Sequence, residues 1–192
     1  MNQGKNPIGG YEPGLSELIQ KVVNNNSFRV TDDYSEIKEA DVVLIDVQTP
    51  TDEQGIPRYK SLKEVSKKVG QYLKKETLVV IESTVAPGTT SYIVKPILEE
   101  ESHLSAGKDF HLAFSYERVM VGRLIHNIQN LPRIIGGITE ESTQKAMELY
   151  KHIVKSTLHP TDSLTAEVAK VVENTYRDVN IAFANEVGLM CE

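Results

Sequence analysis

An ammonium group and a carboxamide lie four residues apart near the end of the chain, at Lys170 and Asn174. Residues 166–186 contain no glycine or proline and carry apolar residues at a helical period, so these two side chains would share one face of a helix. A cation and an amide on a rigid helix can position a hydroxyl or carbonyl group. On the helix pattern alone, a solvated polar face explains them more simply.

Two further candidates follow predicted buried strands. Thr84 lies in the loop 82–88, where its hydroxyl can donate or accept a hydrogen bond. Glu117 follows the next predicted strand, where its carboxylate could act as a general base or bind a ligand hydroxyl. Each has a structural alternative. The loop could simply begin a helix through hydroxyl turns, and Glu117 could pair with Arg118 or Arg123.

The elements that must position these side chains alternate along the chain. Helical periods predict helices at 15–24, 33–40, 61–75, 89–101, 140–154 and 166–186. β-branched and apolar runs predict strands at 28–31, 41–47, 77–81, 110–114, 133–136 and 156–159. The pattern indicates an α/β fold with a parallel sheet and flanking helices. Such sheets bind ligands at the carboxyl ends of their strands, which here are the loops 47–52, 82–88 and 115–118.

Two details of this prediction concern local structure. The nearly unbroken β-branched run at 41–47 is typical of a strand covered on both faces. Thr89 or Thr90 is expected to cap the helix that follows the loop 82–88, and Thr139 the helix at 140–154.

Composition excludes several classes of function. The 192 residues carry a net charge of −6 without a basic stripe, which argues against a nucleic-acid partner. The single cysteine, Cys191, rules out an intramolecular disulfide and fits a reducing cytoplasm. No apolar run reaches the roughly 18–20 residues of a membrane span, and no signal peptide is visible at the N-terminus. The five histidines show no metal-ligand spacing, so no metal is predicted.

Two residues of the last helix need separate interpretation. Cys191 has no neighbour that would lower the pKa of a thiol, so it is interpreted as a small apolar helix residue. Glu186 falls among the apolar positions of the helix, where a carboxylate must be paired or lie at an interface.

In sequence order, seven motifs resemble the nucleotide-sugar dehydrogenases, the family of UDP-glucose and GDP-mannose dehydrogenases. They are YEPGL at 11–15, ADVV at 40–43, QTPTD at 48–52, ESTVAPGT at 82–89, YERV at 116–119, IGGIT at 135–139 and ENTYR at 173–177. The resemblance implies oxidation of a sugar C6 alcohol to a carboxylate in two NAD-dependent steps, with a UDP-sugar as substrate. It also implies a homodimer formed through the helix at 165–190.

The resemblance also implies roles for individual residues. Thr49 and Thr84 would lie against NAD, and Thr84 would help to hold a catalytic water. Glu117 would assist base chemistry near thioester hydrolysis. Lys170 would stabilise oxyanion character on the reacting oxygen, and Asn174 would bind the same region.

The chain departs from the family pattern in two ways. It contains no G-x-G-x-x-G turn, and it has no counterpart of the family's catalytic cysteine, since Cys191 comes too early. We therefore expect an internal fragment, with the later part of an NAD-binding domain at 1–160 and the start of the central helical domain at 161–192. Without the thiol, the 192-residue chain is expected to be inactive.

The sequence indicates the particular sugar nucleotide less clearly than it indicates the family. The stretch 117–123 is more similar to UDP-N-acetylmannosamine dehydrogenases than to UDP-glucose enzymes, which typically have a second glutamate where this chain has Val121. UDP-N-acetylglucosamine and UDP-glucose dehydrogenases are the alternatives.

Two readings compete with this family. The 3-hydroxyacid and 6-phosphogluconate dehydrogenases also place a lysine and an asparagine four apart, but a glycine-rich run precedes their lysine and 163–169 has no glycine. The second competing interpretation is a non-catalytic remnant that serves only in dimerisation or regulation.

The expected fragment also has a consequence for the sheet. In an incomplete sheet the edge of the strand 41–47 would be exposed, so that it would pair with another chain, be covered by the N-terminal segment, or promote aggregation.

Overall fold

Five strands and six α-helices alternate along the chain in a computed structural model, which describes all residues 1–192. The strands are β1 (Val42–Ile45), β2 (Leu78–Ile81), β3 (His111–Phe114), β4 (Arg133–Gly137) and β5 (Leu158–Asp162). The helices are α1 (Leu15–Asn24), α2 (Lys60–Tyr72), α3 (Lys95–Ser102), α4 (Leu124–Asn130), α5 (Glu140–Lys151) and α6 (Ser163–Cys191). A 3₁₀ helix spans Tyr34–Glu39, and a π-helical turn at Thr90–Val94 precedes α3.

The strands form one sheet in the order β1-β2-β3-β4-β5, which confirms the predicted α/β class. All neighbouring pairs are parallel except β3 and β4, which are antiparallel. The predicted sheet was parallel throughout, so this pair is a correction. Between β3 and β4 the chain forms only a loop and the short α4, so β4 starts beside the carboxyl end of β3 and runs back along it.

The core lies on both faces of the sheet. Alternate residues of β2 point to opposite sides, so that Val79 and Ile81 pack towards α2 and α3 while Val80 packs towards α5. Gly136 allows β4 to approach the start of α6, because a Cβ there would lie 2.1 Å from the carbonyl oxygen of Asp162.

Two of the strand predictions were wrong in ways that concern the edge of the sheet. Residues 28–31 form no strand, because no neighbouring strand is present to complete a ladder. The Asn2 carboxamide instead accepts from the N–H of Val30 at 2.7 Å and donates to its carbonyl oxygen at 2.8 Å. β1 is not covered on both faces either, since Leu44 remains 46% exposed. A groove of about 640 Å³ runs beside it, lined by residues between 31 and 44.

The lengths of the helices also differ from expectation. α6 runs from Ser163 to Cys191, several residues beyond the predicted 166–186 at each end, and α4 was not predicted at all. The Thr139 side chain accepts from the N–H of Ser142, which confirms the predicted cap of α5.

Candidate functional site

The loops after β1 and β2 meet at a crevice of about 260 Å³. The Thr49 hydroxyl donates to the main-chain oxygen of Thr84 at 2.6 Å, so the two predicted cofactor residues are in direct contact. The Tyr59 hydroxyl, immediately before α2, accepts from the N–H of Ala86 at 2.7 Å and so fixes the same loop. Val171 of α6 forms part of the crevice wall, which brings the long helix to the strand ends.

Lys170 precedes Val171 and is almost fully buried. Its ammonium donates to the main-chain oxygen of Glu117 at 3.3 Å, beyond the end of β3. Burial lowers the pKa of Lys170 below its ordinary value of 10.5, while the nearby Glu117 and Glu173 carboxylates oppose that change. The solvated polar face, which the helix pattern alone favoured, therefore does not describe this lysine.

Glu117 and Asn174 are both half-buried. The Glu117 carboxylate accepts from the N–H of Val119, in a local turn, and pairs with neither Arg118 nor Arg123. Asn174 accepts from the Arg177 guanidinium at 3.0 Å through its side-chain oxygen. The structure thus brings the predicted residues together in two pairs, Thr49 with Thr84 and Lys170 with Glu117. The pairs are connected through α6, because Lys170 contacts Glu117 and the next residue, Val171, lines the crevice of the first pair. Asn174 is on the same helix but makes no hydrogen bond to Lys170.

Glu167 has a role that the sequence analysis missed. Its fully buried carboxylate accepts from the N–H of Gly88 at 2.5 Å and from the N–H of Thr90 at 2.8 Å. It therefore caps the helical segment that follows Thr84, and the predicted cap by Thr89 or Thr90 is wrong, because neither hydroxyl caps the turn. Burial raises the pKa of Glu167 above its ordinary value of 4.5, although the hydrogen bonds act in the opposite direction.

An acidic residue in the family motif at the start of the chain is also structural. Glu12 is buried, and its carboxylate accepts from the N–H groups of Gly122 and Leu124 at the start of α4. It ties the segment before α1 to the loop that follows Glu117. The signal for this role was present in the sequence as the YEPGL motif, but nothing in the motif indicates which backbone it contacts.

A second buried network lies beneath the strand ends. The Arg133 guanidinium contacts the Glu82 carboxylate, and its Nε donates to the Ser115 hydroxyl at 2.8 Å. The Tyr150 hydroxyl donates to Glu82 at 2.5 Å, and burial raises the pKa of Tyr150. This network joins the ends of β2 and β3 to the first residue of β4, so that the loops carrying Thr84 and Glu117 start from fixed positions.

The other face of α6 is apolar and exposed. From Val168 onwards it presents large apolar side chains to solvent, including Val172, Val179, Phe183 and Met190. Glu186 and the free Cys191 lie in the same exposed part of the helix. Glu167 and Lys170, on the polar side, are instead buried against the sheet. The helix therefore docks on the sheet through its charged residues, the opposite of an ordinary amphipathic helix.

The crevice beside Thr49 and Thr84 can accommodate part of a dinucleotide at the carboxyl ends of β1 and β2. The chain has no glycine-rich turn that would receive a pyrophosphate, so its residues fit one wall of such a site. No cluster of three or more His, Cys, Asp or Glu side chains is placed to hold a metal ion. None of the helices has both the length and the apolar character of a membrane span.

Two solved structures of sugar-nucleotide dehydrogenases share the fold of this chain. The crystal structure of NDP-N-acetyl-D-galactosaminuronic acid dehydrogenase from Methanosarcina mazei is 48% identical, with a TM-score of 0.89 over 100% of this chain and 41% of that chain. The UDP-D-ManNAc dehydrogenase from Pyrococcus horikoshii is 38% identical, with a TM-score of 0.93 over 98% of this chain and 44% of that one.

Sequence comparison also finds similarity to sugar-nucleotide dehydrogenases. The UDP-N-acetyl-D-mannosamine dehydrogenase of Campylobacter jejuni is 38% identical over 199 aligned residues, which cover 100% of this chain and 48% of that protein. The chain thus spans less than half the length of these relatives. Residues 1–154 match the NAD binding domain of the UDP-glucose/GDP-mannose dehydrogenase family, and residues 164–192 match its central domain. The chain belongs to the UDP-glucose/GDP-mannose dehydrogenase family, whose cofactor is NAD.

Proposed function

We propose that this chain forms the cofactor side and part of the catalytic wall of an NAD-dependent dehydrogenase that oxidises the C6 alcohol of a UDP-sugar to a uronate in two steps. One observation carries the proposal. The ammonium of Lys170 reaches the main chain at the end of β3, and the next residue of the same helix lines the crevice that contains Thr49 and Thr84. A cationic donor therefore lies beside the place where a cofactor would meet its substrate.

Each side chain has a chemical task in this proposal. Lys170 donates to the reacting sugar oxygen as negative charge develops on it, which is the arrangement that stabilises such a transition state. Asn174 orients the same oxygen, one helical turn away. Glu117 accepts a proton during the later hydrolytic step, and Thr84 holds the water that takes part in it.

Thr49 and Thr84 also form the wall against which NAD binds. NAD held against this wall would supply the acceptor for the hydride of the sugar carbon. The chain itself positions this region, because the bond between Thr49 and Thr84 joins the loops after β1 and β2. The family's catalytic thiol has no counterpart among the 192 residues, so this chain alone is expected to form no uronate.

UDP-N-acetylmannosamine is the substrate that we favour. The support is the sequence of residues 117–123 and the names of several relatives, among them the dehydrogenases from Pyrococcus horikoshii and Campylobacter jejuni. UDP-N-acetylglucosamine and UDP-glucose are the alternatives, since relatives are also named for those substrates.

We further infer a homodimer formed through residues 165–190, with the domain boundary near residue 160. The support is the exposed apolar face of α6, which extends over several turns beyond the last contact of the helix with the sheet. A contiguous apolar surface of this length is typical of an interface. A non-catalytic dimerisation module would use the same face, so it remains the competing candidate, and the buried Lys170 is the observation against it.

A chimera tests the catalytic proposal. The aligned part of this chain, 93% of its length, replaces the matching segment of the Pyrococcus horikoshii relative, with which it is 38% identical over 179 residues. NADH formation is then followed with UDP-N-acetylmannosamine, UDP-N-acetylglucosamine and UDP-glucose, with the unaltered relative as control. We expect turnover with one or more of these sugars, fastest with the first. A folded chimera that binds NAD but oxidises none of them would favour the dimerisation module.

A further inference from the structure

Three side chains near Lys170 form a cluster that the sequence analysis did not single out. Tyr116 and Arg118 follow β3, and Glu173 lies on α6. The Arg118 guanidinium donates to the Glu173 carboxylate through Nε at 2.9 Å and through Nη2 at 2.7 Å. The Tyr116 hydroxyl donates to the same carboxylate at 3.0 Å and accepts from Arg118 at 2.9 Å. The Tyr116 hydroxyl, the Glu173 carboxylate and two nitrogens of Arg118 are therefore directed at other members of the cluster.

The cluster also contacts the lysine. The Lys170 ammonium lies 4.9 Å from the centroid of the Tyr116 ring, within the range of a cation–π interaction. The same ammonium donates to the main-chain oxygen of Glu117, the residue between Tyr116 and Arg118. Both of these contacts of the ammonium thus belong to the segment that Glu173 binds.

We propose that Glu173 is a positioning residue for Lys170, which holds the ammonium at the strand ends in two ways: it fixes the Tyr116 ring and the Glu117 carbonyl by binding Tyr116 and Arg118, and it balances the positive charges of Arg118 and Lys170. The proposal rests on the proposed function only in the task assigned to Lys170. Lys170 and Glu173 are three residues apart on α6, so they face the same side of the helix. Arg118 is further anchored to the carbonyl oxygen of Pro132, which connects the cluster to the start of β4.

The charges around Lys170 determine what a test should detect. Glu117 from the loop after β3 and Glu173 from α6 favour the charged amine, whereas burial, Arg177 and Arg118 disfavour it. Burial also acts on Glu173, but the hydrogen bonds from Arg118 and Tyr116 lower its pKa, so it is ionised at neutral pH. Removing the Glu173 charge would leave Arg118 unpaired and close to the ammonium, and both changes disfavour protonation of Lys170.

The experiment is a titration of Lys170 in the complete 192-residue chain, labelled with [6-¹³C]lysine and assigned with K170R. We expect E173Q to lower the pKa of Lys170 by about half a unit or more, the size of a lost neighbouring charge in a partly solvated site. R118M should raise that pKa, because it removes the opposing cation. E148Q is the matched control, since it removes an exposed carboxylate from α5, outside the surface assigned to the dimer, and should leave the titration unchanged.

Circular dichroism at each pH establishes that a variant is folded. If Glu173 only ties the loop to the helix, E173Q and R118M lower the melting temperature while Lys170 titrates as in the parent chain, and the proposal is overturned. Because E173Q and R118M are expected to shift the pKa of Lys170 in opposite directions, either variant alone can test the proposal if the other fails to fold. The titration needs neither NAD nor a sugar nucleotide, so its failure is distinct from failure of the proposed function.

Discussion

Glu167 is the residue on which the loop carrying Thr84 most depends. Its carboxylate receives two backbone N–H groups from residues 88–90 and has no exposed surface. Removing the carboxylate by E167A leaves two buried N–H groups without an acceptor, and an unsatisfied buried donor costs about 1–3 kcal/mol. We expect E167A to lower the free energy of unfolding at pH 7 by about 2 kcal/mol or more, measured in urea, with E148Q on α5 unchanged as the exposed control.

The same carboxylate gives a pH dependence with a defined sign. Because burial raises the pKa of Glu167 in the folded chain, its protonated form contributes stability that is complete below the ordinary value of 4.5. That contribution is lost as the pH rises through the raised pKa. The stability of the parent chain relative to E167A should therefore decrease from pH 4 towards neutral pH. An advantage of the parent that grows over this range would contradict the assigned burial.

The roles of single residues could be predicted from sequence only in part. Thr84, Glu117 and Lys170 were found because they lie at strand ends or at helical spacing, whereas Thr49 was implied only by the family resemblance. The structure brings the four together in two contacting pairs. Their assigned chemistry stays a prediction. The positions of Glu167 and Glu173 could not be inferred, since the partners of each carboxylate lie more than 50 residues away in the chain.

At the scale of elements, α6 begins at a cap that can be tested separately. The Asp162 side chain accepts from the N–H of Thr165 at 2.8 Å and from its hydroxyl at 2.6 Å, and these bonds lower the pKa of Asp162. D162A should reduce the free energy of unfolding by about 1 kcal/mol at pH 7, the usual cost of a lost cap. The difference should disappear as the pH falls below the ordinary pKa of 3.8, because the lowered pKa favours folding only while the carboxylate is ionised.

D162N is the control for this prediction, since asparagine is an equally good capping residue. It should retain most of the stability at pH 7 and show a weaker pH dependence than the parent chain. Equal losses in D162A and D162N would mean that the charge of Asp162, and not its capping bond, stabilises the start of α6.

Local sequence patterns predicted most helices and strands correctly. The errors occurred where the structure depends on contacts between distant segments of the chain. β2 and α5 follow from an apolar run and a capped helical period. The reversal of β4 depends on how the segment 115–132 returns to the sheet, which no local pattern specifies. The missing strand at 28–31 reflects the absence of a pairing partner. The orientation of α6 could not be predicted, because its buried side consists of charged residues that are satisfied by other elements.

For the molecule as a whole, the exposed apolar face of α6 predicts self-association. Phe183 is 69% exposed and belongs to the surface that we assign to the dimer. F183E should convert a dimer to a monomer, because it places a charge in an interface that excludes water. N185E introduces the same charge two residues away on the polar side of the helix and should leave the dimer intact. Sedimentation velocity measures both. Association that F183E does not change would direct attention to the open edge of β1, where Leu44 is also exposed.

The central claim is that Lys170 belongs to a sugar-oxidising site, and the chimera with the Pyrococcus horikoshii relative tests it most directly. K170M removes the ammonium, and K145M removes an exposed lysine from α5 as a matched control. With UDP-N-acetylmannosamine as substrate we predict that K170M lowers kcat by about 10²- to 10³-fold, the usual effect of losing one donor to a developing oxyanion. K145M should leave kcat unchanged. A folded K170M chimera with the kcat of the unsubstituted chimera would contradict the account.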